Sequence, residues 1–329
     1  MLRRFRHPLK GGEIAGLEFG DPIREISAVF LHATGFNAMT YQSILAPLGL
    51  RARVAGLDMR GHGKTRLPLK GNYPSWRIHA MDVISWIEAN APQGVVLSGH
   101  SMGGCVALMV AGKRPDLVKG LVLADPVILR PRIYRFNHLV PFSRALSGRH
   151  TLARGAKRRR SEFANVAEAR ESYKARGAFA SWRQPFLDDY LLDGLVQDKA
   201  NNRDSSAGEA KWQLACDPAI EAATFAAQRN RPWSALSRVR KAGIPLTILK
   251  AERNSVMSSA VDQLILRRYP QAIIKTVRGT SHFLPMEAPY ALRDDLSSFI
   301  ARLIEGFDLG DDGPVQRTLQ KTPGIITQS

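Results

Sequence analysis

The run Gly99-His100-Ser101-Met102-Gly103-Gly104 carries the strongest chemical signal in the chain. It follows the apolar run Val95-Val96-Leu97-Ser98 and opens a second apolar stretch beginning at Met102. A serine set between glycines at such a junction predicts a sharp strand–turn–helix corner. The corner strains the serine backbone and exposes its hydroxyl, and the glycines supply the room where strand and helix converge. The helix N-terminus also turns free N–H groups and partial positive charge toward the reaction centre. A serine hydroxyl needs a base to take its proton. Eight histidines are available, among them His282 in Gly279-Thr280-Ser281-His282-Phe283-Leu284-Pro285, after the final strand-like run. Imidazole titrates near neutrality, so it can accept that proton and return it to a leaving group. The plainer alternatives are a Gly-rich turn with an incidental serine and a surface histidine at a helix start.

These residues need a frame to bring them together. Strand-like runs fall at Glu13–Phe19, Ala28–His32, Val54–Asp58, Gly94–Gly99 and Gly120–Ala124, and resume at Pro245–Lys250 and Ala272–Val277. The later ones are nearly continuous in Val, Ile and Leu, as strands are when helices cover both faces of a parallel sheet. Amphipathic stretches lie between them, near Ala38–Leu48, Trp76–Ala89, Met102–Lys113, Ser258–Arg268 and Tyr290–Ile304. The alternation predicts an α/β fold with a doubly wound, mostly parallel sheet. From about Leu129 to Arg240 no strand-like run appears, and the composition turns helical, basic and Trp-bearing. This reads as a helical cap over residues 129–235, with residues 1–128 and 236–305 forming the core. Residues 306–329, rich in Gly, Asp, Thr and Gln, read as a disordered tail.

With those motifs in place, the chain resembles the α/β-hydrolase superfamily, in its serine hydrolase branch. GHSMGG is similar to that family's nucleophile elbow, and Asp58-Met59-Arg60-Gly61-His62-Gly63 to its D-x-R-G-x-G turn, in which Arg60 and His62 are structural. The resemblance implies the chain order Ser…acid…His, in which His282, in a segment similar to the family's G-x-x-H, is the general base, and a cap inserted after the sixth core strand. Leu31-His32-Ala33-Thr34-Gly35-Phe36 resembles the H-G-x-x loop, with Ala33 where the family usually has glycine. By position, the Thr34 and Met102 N–H groups would then form the oxyanion hole. His32 would order the loop, and Phe36, Met102 and Phe283 would line an acyl pocket. The family's usual acid position, in the stretch Thr247–Val256, holds Asn254, which is neutral. Some branches place the acid one strand earlier, and LVLADPVILRP (residues 121–131) resembles that segment. Asp125 is therefore the preferred acid and Glu252 the second choice, with a turn-capping role as the alternative for Asp125.

Ser101, rather than the aspartate of dehalogenases and epoxide hydrolases, points to acyl transfer. The expected reaction is hydrolysis of a carboxylic ester or related acyl bond of a small-molecule acyl substrate, with no cofactor and no metal. An acyltransferase or a carbon–carbon bond hydrolase on the same triad, or a non-catalytic small-molecule-binding scaffold, are the alternatives.

Composition narrows the rest. The chain has 329 residues, 44% hydrophobic and 23% charged, as in ordinary globular proteins. No run reaches the length needed to cross a bilayer, and the basic start lacks the apolar stretch of a secretory signal, so the default expectation is cytoplasmic. Two cysteines, Cys105 and Cys216, make neither a disulfide framework nor a metal site. The formal charge is +18, concentrated partly in residues 129–180 and in Lys157-Arg158-Arg159-Arg160. Without an aromatic-and-basic motif beside it, that run reads as a solvated face. No nucleic acid is expected, although an anionic acyl substrate would suit the charge.

Overall fold

The computed structural model describes residues 1–69, 73–140, 151–197 and 211–305. The tail at 306–329 and the cap residue Phe142 lie outside the described residues. Strands β1 (Leu2–Leu9), β2 (Gly12–Phe19), β3 (Ile26–Leu31), β4 (Arg53–Asp58), β5 (Val95–His100) and β6 (Val118–Ala124) precede an insertion. The insertion carries the short strands β7 (Glu162–Phe163), β8 (Leu195–Gln197) and β9 (Trp212–Leu214), after which β10 (Leu246–Ala251) and β11 (Ile273–Val277) return to the core. The main sheet has eight strands in the order β1-β2-β4-β3-β5-β6-β10-β11. β1 and β2 pair antiparallel, as do β2 and β4, and every other pair is parallel.

Alternation along each strand explains why both faces are covered. Val29, Leu31, Leu97, Leu121 and Leu123 face one apolar cluster, which includes residues of the helices Arg77–Asn90, Met102–Lys113 and Ser259–Arg268. Ala28, Phe30, Val96, Val122 and Ala124 face a second cluster, which includes residues of Gln42–Leu48 and Pro289–Glu305. Strands apolar on both faces read as continuous hydrophobic runs.

Two features differ from the sequence reading. β1 has no counterpart there, because its Arg- and His-rich edge hides the pattern. Its Phe5 stacks on Trp86 (ring centroids 5.4 Å apart), while Arg3 pairs with Glu18. The insertion is also not purely helical: β7, β9 and β8 form a small antiparallel sheet. Strands of two or three residues are too short to leave a periodic signal. The helix Pro232–Lys241 spans the 235/236 boundary and packs so closely on Met102–Lys113 that a Cβ on Gly112 would lie 2.6 Å from Ala235 Cα.

Candidate active site

Ser101 sits between the end of β5 and the helix that starts at Met102, with φ 57° and ψ −115°. This conformation is costly for a residue with a Cβ and persists because its surroundings enforce it. The Ser101 N–H donates to Ala124 O (2.9 Å) and its carbonyl accepts from Val127 N (3.1 Å). The corner is thereby tied to the end of β6. The glycines do what the sequence required of them. A Cβ on Gly103 would lie 2.2 Å from Leu31 O, and one on Gly99 would lie 2.4 Å from Gly103 C. Both neighbours are backbone atoms and cannot yield.

The structure brings Ser101, His282 and Asp125 together. Ser101 Oγ lies 2.9 Å from His282 Nε2, and His282 Nδ1 lies 2.6 Å from Asp125 Oδ2. Asp125 is fully buried, yet it has more than one donor. Its Oδ1 accepts from the Ser255 hydroxyl (2.6 Å) and Ala251 N–H (3.3 Å), and its Oδ2 from Val256 N–H (3.1 Å). Burial opposes the charge, but the His282 contact and these donors outweigh it and hold the carboxyl below its ordinary value. Glu252 goes elsewhere: it is exposed and accepts from Gly279 N–H (2.8 Å). Asn254 is a turn residue at φ 52°, a conformation asparagine tolerates.

Around this relay lie supports that the sequence did not reveal. His100 Nε2–H donates to the His282 carbonyl (2.7 Å), and its Nδ1 accepts from the Tyr41 hydroxyl (2.8 Å). Burial, with His282 nearby, lowers the His100 pKa to about 3, so the ring stays neutral. Glu287 accepts from the Ser281 N–H and hydroxyl and from the Ser181 hydroxyl of the insertion, fixing the turn that carries His282. His32 donates from Nδ1 to Ala33 O (2.7 Å) and accepts the Met59 N–H at Nε2 (2.9 Å), ordering the loop that carries Thr34. Thr34 Oγ1 contacts Met102 Sδ (3.4 Å). The Met102 N–H is among the first of its helix, a group without an intrahelical acceptor.

Phe36 and Phe283 meet beside the relay, with ring centroids 6.3 Å apart, and the insertion adds Trp182 (5.1 Å from Phe36) and Tyr190 (5.9 Å). The basic run is not uniformly solvated. Lys157, Arg158 and Arg160 are exposed, but Arg159 turns inward to Glu221 (3.0 Å) and lies over the Tyr173 ring (5.0 Å). Cys105 and Cys216 are both buried.

The family model described as the alpha/beta hydrolase family matches residues 28–295. The chain belongs to that family. Within the alpha/beta hydrolases it is 26% identical over 281 residues to the sn-1-specific diacylglycerol lipase ABHD11 of Mus musculus, covering 83% of this chain and 80% of that one. It is 32% identical over 117 residues to an esterase of Mycobacterium tuberculosis, covering 36% of this chain and only 38% of the esterase. Among solved structures it superposes on E-2-(acetamidomethylene)succinate hydrolase with a TM-score of 0.70 at 19% identity, covering 92% of this chain and all of that one. Among the described residues no helix is long and apolar enough to cross a membrane.

Proposed function

We propose that this alpha/beta hydrolase is a serine hydrolase that cleaves a carboxylic ester or related acyl bond through a covalent acyl-enzyme. The observation that carries the reading is the continuous contact from Ser101 Oγ through the His282 ring to Asp125. Ser101 Oγ attacks the acyl carbon as its proton passes to His282 Nε2. The buried Asp125 carboxylate stabilises the imidazolium through Nδ1–H. The Thr34 and Met102 N–H groups receive the developing oxyanion, a contribution of about 3–4 kcal/mol per donor. Collapse of the tetrahedral intermediate expels the leaving alcohol, which takes the proton from Nε2. Water, deprotonated by the same nitrogen, then releases the acid. Phe36 and Phe283 wall the acyl side, which suits an apolar acyl group.

A fluorophosphonate probe and a panel of p-nitrophenyl esters test this. Wild type should label at residue 101 and turn over esters. Ser101→Ala should lose both while keeping its thermal unfolding transition. A folded wild type that neither labels nor hydrolyses any ester would leave the scaffold reading in its place. Acyl transfer to added alcohols in preference to water would shift the assignment to an acyltransferase.

A further inference from the structure

The chain leaves the acid-bearing end of β6 through residues 125–130 and enters the helix Pro131–Leu139. One face of that helix is pinned to the protein. Tyr134 is buried, and its hydroxyl donates to Val127 O (3.2 Å) and accepts from Leu129 N–H (3.2 Å). Asn137 is buried, and its carbonyl accepts from Arg229 Nε (2.8 Å). The opposite face carries Arg132, Ile133, Arg135, Phe136 and Leu139, all exposed. Phe136 is 48% and Leu139 79% accessible, whereas most large apolar side chains among the described residues are buried. Among the described residues, Arg132 and Arg135 have no ion-pair partner, and neither has Arg130 just before the helix.

Apolar side chains in water and cations without anions on the same short face fit one kind of surface. A lipid interface takes the apolar groups between its acyl chains and pairs its anionic headgroups with arginine. A nucleic acid would use the arginines but leave Phe136 and Leu139 in water. A nine-residue helix spans only about 13 Å, so its apolar contact supports weak binding and needs electrostatic attraction beside it. The formal charge of +18 supplies that attraction.

We infer that the outer face of the helix Pro131–Leu139 docks this protein reversibly on anionic lipid surfaces, through Phe136 and Leu139 inserted between headgroups and Arg132 and Arg135 paired with them. The inference concerns binding alone and stands whether or not Ser101 turns over an ester.

Co-sedimentation with phosphatidylcholine vesicles, with and without phosphatidylglycerol, tests it. The wild type should bind the anionic vesicles and not the neutral ones, and binding should weaken as salt is raised. Phe136→Ser/Leu139→Ser should lower the partition coefficient about tenfold. Arg132→Ala/Arg135→Ala should lower it by about as much. The control pair Arg240→Ala/Lys241→Ala, exposed on the helix Pro232–Lys241, removes as much net charge and should lower it far less. All three pairs lie on exposed helix faces, and unchanged thermal unfolding would show that each remains folded. Absence of binding to anionic vesicles would overturn the inference. So would an apolar double variant that binds like wild type, since only diffuse charge would then be at work. Equal loss in the control pair, or duplex DNA binding tighter than vesicles and indifferent to the apolar substitutions, would do the same.

Discussion

Replacing Asp125 by asparagine keeps the shape of the side chain and removes its charge, and either way of turning the new amide sets its nitrogen against a backbone N–H. Oδ1 faces two donors, the Ser255 hydroxyl and Ala251 N–H; Oδ2 faces Val256 N–H and His282 Nδ1. An amide nitrogen at the Oδ2 position would face Val256 N–H and donate to His282 Nδ1. That leaves the imidazole proton on Nε2, pointing at Ser101, and the ring can no longer accept the serine proton. An amide group at the Oδ1 position would face Ala251 N–H and force the Ser255 hydroxyl to rotate, while His282 would keep its tautomer but lose the negative charge. Two unit charges about 4 Å apart at an effective dielectric constant near 20 interact by about 4 kcal/mol, so lost charge alone slows the step roughly a thousandfold. With the tautomer inverted as well, the expected fall is about 10⁴-fold, the size seen for the same exchange in a serine protease triad. Asp125 is fully buried behind His282 and does not reach substrate, so kcat should carry the loss and KM should move little. Steady-state turnover of a p-nitrophenyl ester by wild type, Asp125→Asn and Glu252→Gln measures it, with thermal unfolding as the check on folding. Asp125→Asn within about tenfold of wild type in kcat, alongside a severe Glu252→Gln defect, would refute the reasoning.

Two further outcomes follow from the same geometry. Ser101 holds φ 57° with a Cβ, so Ser101→Gly should exceed Ser101→Ala in stability by about 1–2 kcal/mol in urea titrations, both being inactive. Equal stabilities would remove strain from the account of the corner. Acid should also weaken the fold well above the carboxylate range. Burial lowers His62 to about 4 and, with charged or titratable neighbours, His79 and His100 to about 3. Their folded pKa values lie below the unfolded one, so the unfolded chain binds protons first and stability falls as pH drops below about 6.5. Between pH 7 and pH 5 each costs about 2 kcal/mol. Asp58, raised to about 6 by burial, binds its proton first in the folded state and offsets about 1 kcal/mol. Asp125, held below its ordinary value, contributes its loss only at lower pH. The fall of about 5 kcal/mol, to which His32, also lowered by burial, adds, is a large share of an ordinary folding free energy; urea titrations giving the same value at both pH values would contradict it.

What was legible in the sequence was what steric necessity spells out locally. The corner at Ser101 demands small residues at fixed offsets, so Gly99 and Gly103 announce it, and the helix Met102–Lys113 has the boundaries its composition predicts. The inner strands read from the sequence, β3 to β6 and β10, are buried on both faces along most of their length and appear as nearly continuous runs. β1 was hidden because an edge strand with one face in water carries Arg3, Arg4 and Arg6 where a core strand would carry valine. The insertion was opaque for a different reason. Its elements are short and held by partners far away in the chain, such as Arg159 with Glu221 and Asn37 Nδ2 with Tyr190 O. Nothing in the spacing of Lys157-Arg158-Arg159-Arg160 marks the third member as the one that turns inward. The roles of His100 and Glu287 were likewise invisible, because they depend on loops that meet only in the folded chain.

The exchange of Asp125 for an acid in the stretch 247–256 is possible because β6 and β10 are adjacent and parallel, with Ala124 opposite Leu249. Neighbouring strands lie about 4.8 Å apart, so a carboxylate at the end of either can reach one imidazole. The ladder even continues past the strand: Asp125 N–H donates to Leu249 O (2.7 Å). Moving the acid to β6 places it deeper, fully out of water, where a bare carboxylate would take up a proton instead of holding charge. The segment relieved of the acid meets that need, since Ala251 N–H, the Ser255 hydroxyl and Val256 N–H all turn toward Asp125. The Asn254 turn at φ 52° aims the last two. Asn254 is therefore read as part of the device that keeps Asp125 ionised, and the neutral residue at the family's usual acid position is no evidence of a lost triad.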